Sequence, residues 1–293
     1  MPELPDVVVY IERLEALVGG QVLQRIRVGG PSVLRTYDPP LPAVEGKTVT
    51  GFRRIGKRIV FELEDDLFVI VHLMISGRLR WRKPGAPLVR RGLAAFDFPA
   101  GTVLFTEEGT SKRASIHIVR GEEALADHDR GGYEPFDMTV EQMAEALHRE
   151  RHTLKRSLTD ARLISGVGGA YADEIMHRAK VSPMARTDRL TDEEITRLHA
   201  ATRDVLAEWV DRLRTEVGDG FPEKVTAFHP EMAVHGKFGQ PCPVCASPVQ
   251  RIVYSSNETN YWPGCQTGGR ILADRALSRI LRDDFPRTLE ELE

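Results

Sequence analysis

The first residues of the chain are suited to covalent chemistry. The sequence begins Met-Pro-Glu-Leu-Pro, and removal of Met1, as happens before a small residue, exposes the secondary amine of Pro2. An α-amino group has a pKa of about 8, far below that of lysine, so it is partly unprotonated near neutral pH. Such an amine attacks an aldehyde or a sugar C1′ to give a Schiff base. Glu3 lies beside it and can move protons, whereas the plainer interpretation of this segment is a helix leader.

A glycine-rich turn between two predicted helices forms a second candidate site. The helices are expected over 152–162 and from residue 170 onward, and three glycines lie in the turn or at its end: Gly166, Gly168 and Gly169. Backbone N–H groups at a helix N-terminus bind phosphate, and Lys155 precedes the turn. Glycine-rich turns between helices are common, so this motif alone says little about DNA.

The three cysteines form a third candidate site. They are spaced as Cys242-x2-Cys245 and Trp262-x2-Cys265. Structural zinc takes four ligands, but Trp262 stands where the fourth cysteine is expected. Either a histidine, His229 or His235, completes the set, or the finger folds by apolar packing without a metal. So few cysteines make no disulfide framework, which favours a cytosolic compartment.

The predicted elements divide the chain into a β-rich and a helical part. A helix over 5–19 precedes short strands up to about residue 120, the first of them over 22–28, a pattern typical of a sandwich or barrel. Helices follow over 139–149, 152–162, 170–179 and 191–216, and a loop is expected over 218–240. The predicted domains are a β-sandwich (1–128), a linker (129–137), a helical domain (138–240), a β-hairpin finger (241–267) and a helical tail (268–293).

Composition and charge restrict the function classes. The chain has 293 residues, of which 41% are hydrophobic and 28% are charged. These fractions are those of an ordinary soluble globular protein. The longest apolar stretch, 67–75, is much shorter than the roughly 20 residues of a membrane helix, and no secretory leader is expected. The net charge is −3, but residues 53–91 carry ten basic and four acidic side chains. That local excess predicts a basic face for phosphates.

In combination, these motifs resemble the formamidopyrimidine-DNA glycosylase / endonuclease VIII (Fpg/Nei) family. The resemblance spans nearly the whole chain in the right order: Pro2-Glu3-Leu4-Pro5, Gly56-Lys57, His72-Leu73 with Ser76-Gly77, Glu134-Pro135, the 154–174 helix–turn–helix, Val234-x-Gly236-Lys237 and the cysteine finger. It implies an α+β fold of two domains. The first is a β-sandwich with an N-terminal helix, and the second is helical, with a helix-two-turn-helix (H2TH) unit and a zinc or zincless β-hairpin finger.

The resemblance also implies an activity and a partner. Members of the family are bifunctional base-excision enzymes that flip a damaged base out of double-stranded DNA, cut its glycosidic bond and nick the abasic site by β,δ-elimination through a Schiff base. They use no catalytic cofactor. The expected setting is the cytoplasm of a bacterial-type cell, at the nucleoid, with the protein acting as a monomer and without a membrane partner.

Matching the family's motifs residue by residue assigns the expected roles. Pro2 is the nucleophile, Glu3 the proton donor, and Lys57 binds phosphate and assists proton transfer. Glu174 supports the H2TH unit. The expected DNA contacts are Lys155, Gly166, Gly168, Gly169, Ile75 and Lys237, and the incomplete metal set is Cys242, Cys245 and Cys265.

The chain departs from the family pattern at several positions. Asp6 replaces a glutamate, Gly169 an asparagine that binds phosphate, Ile75 a methionine that fills the place of the flipped base, and Asn257 the phosphate-binding arginine of the finger. The loop 107–113 lacks the family's Arg-Phe pair, for which Lys112 or Arg113 is the candidate substitute. The departures therefore concern lesion reading and the finger, whereas the nucleophile and its helpers match.

Two other classes of function compete with this interpretation. One is a non-catalytic protein that keeps the fold and binds DNA structure or damage. It is disfavoured because a protein without catalysis has no physical need for the constellation of Pro2, Glu3 and Lys57. The other is an unrelated zinc-ribbon regulatory protein, disfavoured by the odd number of cysteines.

Overall fold

The computed structural model describes residues 1–109, 113–242, 244–254, 257–272, 287–288 and 290–292. The chain forms two compact units. The first unit comprises 1–130 and 207–226, and the second comprises 131–206 and 227–293. One long helix contributes residues to both units. None of the helices in the described ranges is long and apolar enough to cross a membrane.

The first unit contains two antiparallel sheets. Its elements in chain order are α1 (Leu4–Val18), β1 (Val22–Leu23), β2 (Arg25–Val28), β3 (Lys47–Ile55), β4 (Arg58–Leu63), β5 (Leu67–His72), β6 (Gly77–Arg82), β7 (Gly92–Phe98), β8 (Gly101–Glu107), β9 (Ser115–Arg120) and α2 (Glu122–Ala126). One sheet has the order β1-β3-β4-β5-β9 and the other β2-β7-β8-β6. The strand predicted over 22–28 is two strands, because β1 pairs with β3 and β2 with β7 in the other sheet.

The core of this unit lies between the two sheets. Phe61 of β4 and Phe96 of β7 stack with ring centroids 5.4 Å apart and planes within 6°. Helix α1 adds its apolar face to the same core, with Tyr10 and Leu14 fully buried. The period of 3.6 residues in α1 gives the helix one apolar face, and the runs of buried residues in β5 and β8 place these strands in the interior of their sheets. The predicted β-sandwich with an N-terminal helix is confirmed.

The second unit is helical and ends in a hairpin. Its elements are α3 (Val140–His148), α4 (Leu154–Leu158), α5 (Gly169–Arg178), the first part of α6 (Asp192–Val217), β10 (Gln250–Tyr254), β11 (Asn257–Tyr261) and α7 (Pro263–Gln266). Helix α4 is shorter than the predicted 152–162. It ends at Leu158, where the hydroxyl of the next residue, Thr159, donates to the carbonyls of Lys155 and Arg156 at 3.0 and 3.2 Å, a type of bond that weakens and bends a helix.

The finger is the antiparallel pair β10–β11, in register from Gln250 opposite Tyr261 to Tyr254 opposite Asn257. Helix α7 follows directly and carries Cys265. The predicted hairpin is confirmed. Most of the helix predicted in the tail falls on 273–286, outside the described residues.

Candidate functional site

The amino terminus is packed inside the first unit. Pro2 is buried and Glu3 is 2% exposed. Glu3 is the residue before the first turn of α1, and its backbone N–H donates to the Asp6 carboxylate at 2.8 Å. This bond satisfies one of the N–H groups that precede a helix. Helix α1, held by its apolar face, therefore fixes the position of the residues in front of it.

Burial changes the acid–base properties at this end of the chain. It lowers the pKa of the Met1 amino group below its ordinary value of 8.0, with Glu3 opposing and Arg78 adding to the shift. It also raises the pKa of Asp6 to about 7, although the hydrogen bond from Glu3 works in the other direction. Burial disfavours the charged form of each group. An amine in this place is thus uncharged at lower pH than in water, which suits a nucleophile.

Lys57 reaches the same region from the sandwich. It lies in the tight turn between β3 and β4, where Gly56 has φ of +59°, a conformation that favours glycine. Burial lowers the pKa of Lys57, and the Glu3 carboxylate partly offsets the shift. The structure therefore places Lys57 within electrostatic reach of Glu3 and of the Met1 amine.

Arg78 is a member of this region to which the sequence interpretation gave no role. Its guanidinium donates to the Val225 carbonyl at 2.8 Å and to the Gly77 carbonyl at 2.7 Å. It also lowers the pKa of the Met1 amine, after burial and against Glu3. Arg78 directly follows Ser76-Gly77, one of the motifs that carry the family resemblance, and this position was the signal that could have identified it.

Ile75 lies exposed on a tight turn between β5 and β6. Its side chain is 60% exposed. The turn is closed by the Gly77 N–H, which donates to the Leu73 carbonyl at 2.8 Å, and a Cβ at Gly77 would lie 2.2 Å from that oxygen. Met74 has φ of +53°. Only glycine fits at position 77, and the resulting turn presents an isolated apolar side chain to solvent.

The loop that departs from the family pattern is described at its two ends. The backbone N–H groups of Arg113 and Ala114 donate to Glu107 Oε1 at 3.1 and 3.2 Å. Lys112, considered as a substitute for the missing Arg-Phe pair, lies outside the described residues. The carboxylate of Glu107, 1% exposed, therefore anchors the end of the loop.

The glycine turn before α5 contains a residue in the left-handed conformation. Gly166 has φ of +77°, Gly168 is the residue before the first turn of α5, and Gly169 begins the helix. A Cβ at Gly169 would meet nothing within 4 Å. The turn is therefore open beside the first residue of α5.

Lys155 is bound within the second unit. Its ammonium donates to the Gly169 carbonyl at 2.9 Å and forms an ion pair with Asp173. The Asp173 side chain is fully buried and that of Lys155 is 17% exposed. Lys155 thus links α4 to the start of α5, next to the glycine turn.

Glu174 connects α5 to the segment before the finger. Its Oε2 accepts the Ala233 N–H at 2.8 Å, and its Oε1 accepts those of Val234 and His235 at 2.8 and 2.9 Å. Burial raises the pKa of Glu174, although these three bonds work in the opposite direction. One side chain therefore satisfies three consecutive backbone donors about 60 residues away in sequence.

Asp173 makes a parallel connection that sequence reasoning missed. Its Oδ2 lies 2.8 Å from His235 Nδ1 and accepts the Asn260 N–H at 3.3 Å. Asn260 in turn accepts the Gly236 N–H at 2.8 Å. The adjacent Lys237 donates from its ammonium to the Pro230 carbonyl at 2.7 Å. No local pattern in the sequence reveals these long-range bonds.

The three cysteines are brought together at the base of the finger. Their sulfur atoms all lie within 4.8 Å of one another, and no His, Asp or Glu joins the group within the described part of the chain. This set fits structural zinc with three of the usual four ligands. His235, one of the two histidines considered as the fourth, is bonded to Asp173 instead.

The predicted basic face is partly neutralised by acidic residues from elsewhere in the chain. Arg82 pairs with Glu223 at 2.8 Å, and Arg80 pairs with Glu108 at 2.9 Å and with Glu223 at 3.5 Å. A pocket of about 350 Å³ opens over this face. It is lined by Arg80, Arg82, Val89, Arg90, Arg91, Leu104, Thr106 and Glu108.

Comparison with known proteins identifies the family. Residues 1–110 match the formamidopyrimidine-DNA glycosylase N-terminal domain, and residues 132–218 match the formamidopyrimidine-DNA glycosylase H2TH domain. The formamidopyrimidine-DNA glycosylase of Bacillus cereus (strain ATCC 10987 / NRS 248) is 31% identical over 280 residues, which covers 91% of this chain and 99% of that protein. That of Lactobacillus helveticus is 26% identical over 272 residues, with the same coverage.

Solved structures of a related enzyme agree in fold. A mutant of Lactococcus lactis FPG in complex with Fapy-dG-containing DNA has a TM-score of 0.79 at 26% identity, covering 91% of this chain and all of that one. The same enzyme bound non-covalently to DNA with an AP site has a TM-score of 0.79, also at 26% identity, covering 90% and 99%. The chain is a member of the formamidopyrimidine-DNA glycosylase family of DNA-repair glycosylases.

Proposed function

We propose that this protein is a bifunctional DNA glycosylase and AP lyase that excises a damaged base from double-stranded DNA. The observation that carries the proposal is the packing of the amino terminus in one region with Glu3, Lys57 and Arg78. An amine whose pKa is lowered by burial, beside a carboxylate and two cations, has the composition needed for Schiff-base chemistry on an anionic polymer.

In the proposed reaction, Pro2 acts after Met1 has been removed. Its nitrogen bonds to C1′ of the damaged nucleotide while the glycosidic bond breaks, and the base leaves with the bonding electron pair and takes up the proton that the amine loses. Glu3 delivers a proton to the sugar ring oxygen, the ring opens, and an iminium ion remains at C1′. Loss of a C2′ proton to solvent then expels the 3′-phosphate, a second elimination expels the 5′-phosphate, and water hydrolyses the iminium to release Pro2.

Lys57 and Arg78 have supporting roles in this proposal. Both are cations in the region of the amine, so both favour its uncharged form and attract the DNA phosphates. Burial lowers the pKa of Lys57, which makes it a better proton donor than an ordinary lysine. Arg78 is held in place by its contacts to the carbonyls of Val225 and Gly77.

We further propose that DNA is held by groups in both units. In the second unit these are the glycine turn at the start of α5, with Gly166, Gly168 and Gly169, and the side chains of Lys155 and Lys237. The dipole and N–H groups at a helix N-terminus favour a phosphate. In the first unit, Ile75 is exposed on its turn and has the character of an apolar wedge for the stack. We also propose that the domain boundaries predicted from the sequence apply and that the protein acts as a monomer.

The lesion is proposed only as a class. A complex of the Lactococcus lactis enzyme contains DNA with an oxidised pyrimidine, and another contains Fapy-dG. This chain lacks the Arg-Phe pair of the family in the loop 107–113. We therefore propose oxidised or ring-opened bases as substrates, and a panel of duplexes with single defined lesions ranks them.

Borohydride trapping on abasic-site DNA tests the proposal. The protein with Met1 removed is expected to form a covalent adduct. A form that keeps Met1 is expected to form this adduct more than about 10³-fold more slowly. A Pro2→Gly variant, which retains a free terminal amine, is expected to keep part of the reaction. Binding to the same duplex is measured in parallel, and binding without any adduct would favour the non-catalytic DNA-binding alternative.

A further inference from the structure

We propose that the finger binds a thiophilic divalent cation through the thiolates of Cys242, Cys245 and Cys265 alone, and leaves the fourth coordination position to an exchangeable ligand from solvent. Such a site holds a labile metal rather than the closed structural zinc of a four-cysteine finger. The inference concerns the finger only and does not depend on the proposed reaction.

The positions of the sulfur atoms suit this role. They lie within 4.8 Å of one another. In a tetrahedral site with zinc–sulfur bonds of about 2.3 Å, sulfur atoms are about 3.8 Å apart. A small closure of the three side chains around a cation therefore completes the geometry without a change of the backbone.

The backbone around the first two cysteines is organised for thiolates. The N–H groups of Val244 and Cys245 both point at Cys242 Sγ, at 3.2 Å. Ala246 adopts φ of +58°, which lets the chain turn back, and its N–H donates to the Cys242 carbonyl at 2.9 Å. Donors aimed at a sulfur stabilise its negative charge. These bonds are a second observation, independent of the proximity of the cysteines, that points to a ligand at this site.

Trp262 occupies the sequence position of the fourth ligand but cannot bind a metal. Its indole offers only an N–H donor. The side chain is fully buried and packs with Val234, Cys242 and Val249. The His177 ring lies edge-on to the indole, with the two ring centroids 4.0 Å apart. Its Nε1 has no hydrogen-bond partner among the described residues. Trp262 therefore supplies a hydrophobic core to the finger, which removes the need for a metal to hold the fold.

Cys245 is the most exposed of the three thiols, and its Sγ lies 3.0 Å from the Ser247 hydroxyl. Gly264 packs against both groups, since a Cβ there would lie 3.0 Å from Cys245 Sγ and 3.1 Å from Ser247 Oγ. A water or a small anion or thiol can approach at this point, and the serine hydroxyl can hydrogen-bond it. Three protein ligands with an open position are typical of reactive zinc, whereas structural zinc has four.

Cobalt(II) is the probe that tests the proposal on the full-length protein. We expect one equivalent to bind with a sulfur-to-cobalt charge-transfer band, and the visible bands to shift when imidazole or a small thiol is added. The Trp262→Cys variant supplies a fourth thiolate, so its bands are expected not to shift. Zinc loaded into the wild type is expected to transfer to a chromophoric chelator faster than zinc loaded into this variant.

Two further variants keep the test decisive if Trp262→Cys disturbs the finger core. Ser247→Ala removes the hydroxyl beside Cys245 Sγ and leaves all three thiols and Trp262, so it is expected to keep the charge-transfer band and to weaken the imidazole-induced shift. Cys245→Ser is expected to abolish the charge-transfer band. Absence of stoichiometric cobalt binding, or wild-type bands that added ligands do not move, would overturn the proposal.

Discussion

The amino terminus and the finger differ in which residues of the family pattern each retains. At the amino terminus the expected residues are present, and the fold of the first unit buries them together. In the finger the backbone turn and three thiols are present, but Trp262 replaces the fourth ligand and is fully buried. The comparison teaches that reactivity depends on individual side chains, whereas a small fold can exchange a metal ligand for a hydrophobic core.

The two regions also differ in how they are held. Glu3 and Asp6 are three residues apart and are positioned by one helix, so their placement follows from local structure. The finger is tied to α5 through Asp173 and Glu174, which bond residues 59 to 87 positions away. Local substitutions are therefore expected to affect chemistry at the amino terminus and stability at the finger.

The largest expected effect is on chemistry. Glu3→Gln removes the proposed proton donor while keeping the shape of the side chain. The rate of strand nicking is expected to fall by about 10²- to 10⁴-fold, as for loss of a general acid, with little change in DNA affinity. Glu15→Gln on the exposed side of α1 is the matched control. Equal nicking rates for Glu3→Gln and this control would remove Glu3 from the mechanism.

The next effect concerns stability near the finger. Glu174→Ala leaves three backbone N–H groups without their acceptor, at a cost of about 3–5 kcal/mol. Amide hydrogen exchange of residues 233–235 is expected to accelerate strongly, while exchange in the sandwich stays unchanged. Glu174→Gln keeps one acceptor oxygen and is expected to be intermediate. Unchanged protection of these amides in the alanine variant would contradict the assigned role.

A third prediction concerns the pH dependence of protein stability, which arises from Asp6 at the amino terminus. The pKa of Asp6 is about 7 in the folded protein against an ordinary value of 3.8. Between these values the folded state holds the proton more tightly than the unfolded chain, so this group's contribution to stability is lost as pH rises. The total loss is at most about 4 kcal/mol, at 1.36 kcal/mol per pKa unit.

Asp6→Asn is the variant that measures this contribution, because its amide oxygen can still accept the Glu3 N–H. Relative to the wild type, the variant is expected to gain stability from pH 4 to pH 7 and to keep a constant advantage above that range. Urea-induced unfolding at a series of pH values gives the difference. A difference independent of pH would show that Asp6 titrates normally.

The smallest effect is expected at Ile75. Ile75→Ser removes an exposed apolar side chain, so the stability of the free protein is expected to be unchanged. Discrimination between abasic-site DNA and undamaged duplex is expected to fall by about 1–2 kcal/mol, the value of a buried aliphatic side chain. Tyr37→Ser, at a side chain that is 85% exposed, is the control, and an equal loss in both variants would remove the wedge role.

Sequence periodicity predicted most of the fold. The strands β3–β9 follow from short β-rich runs bounded by turn residues, and the helices α1, α3, α5 and α6 follow from the 3.6-residue period, both of which are local signals. The 22–28 strand was predicted as one because nothing local shows that its halves pair in different sheets. The segment 219–226 was predicted as part of a loop. Its place in the first unit depends on contacts such as Phe221 with Tyr10 at 5.7 Å.

The candidate site was predictable to a smaller extent. Pro2, Glu3 and Lys57 were identified through motifs, since their residue types are rare in that combination. Arg78 and Asp173 were not, because an arginine in a strand or an aspartate in a helix has no distinctive local signature. Their roles arise from burial and from partners that only the folded chain brings close, such as Val225 for Arg78.

Peptide mapping of the borohydride-trapped adduct tests the central claim most directly. Two amines lie in the same region, the terminal amine and the Lys57 ammonium, and mass spectrometry of a digest distinguishes them. We expect the sugar remnant to be attached to the N-terminal peptide that begins at Pro2. Attachment to Lys57, with an unmodified N-terminal peptide, would contradict it.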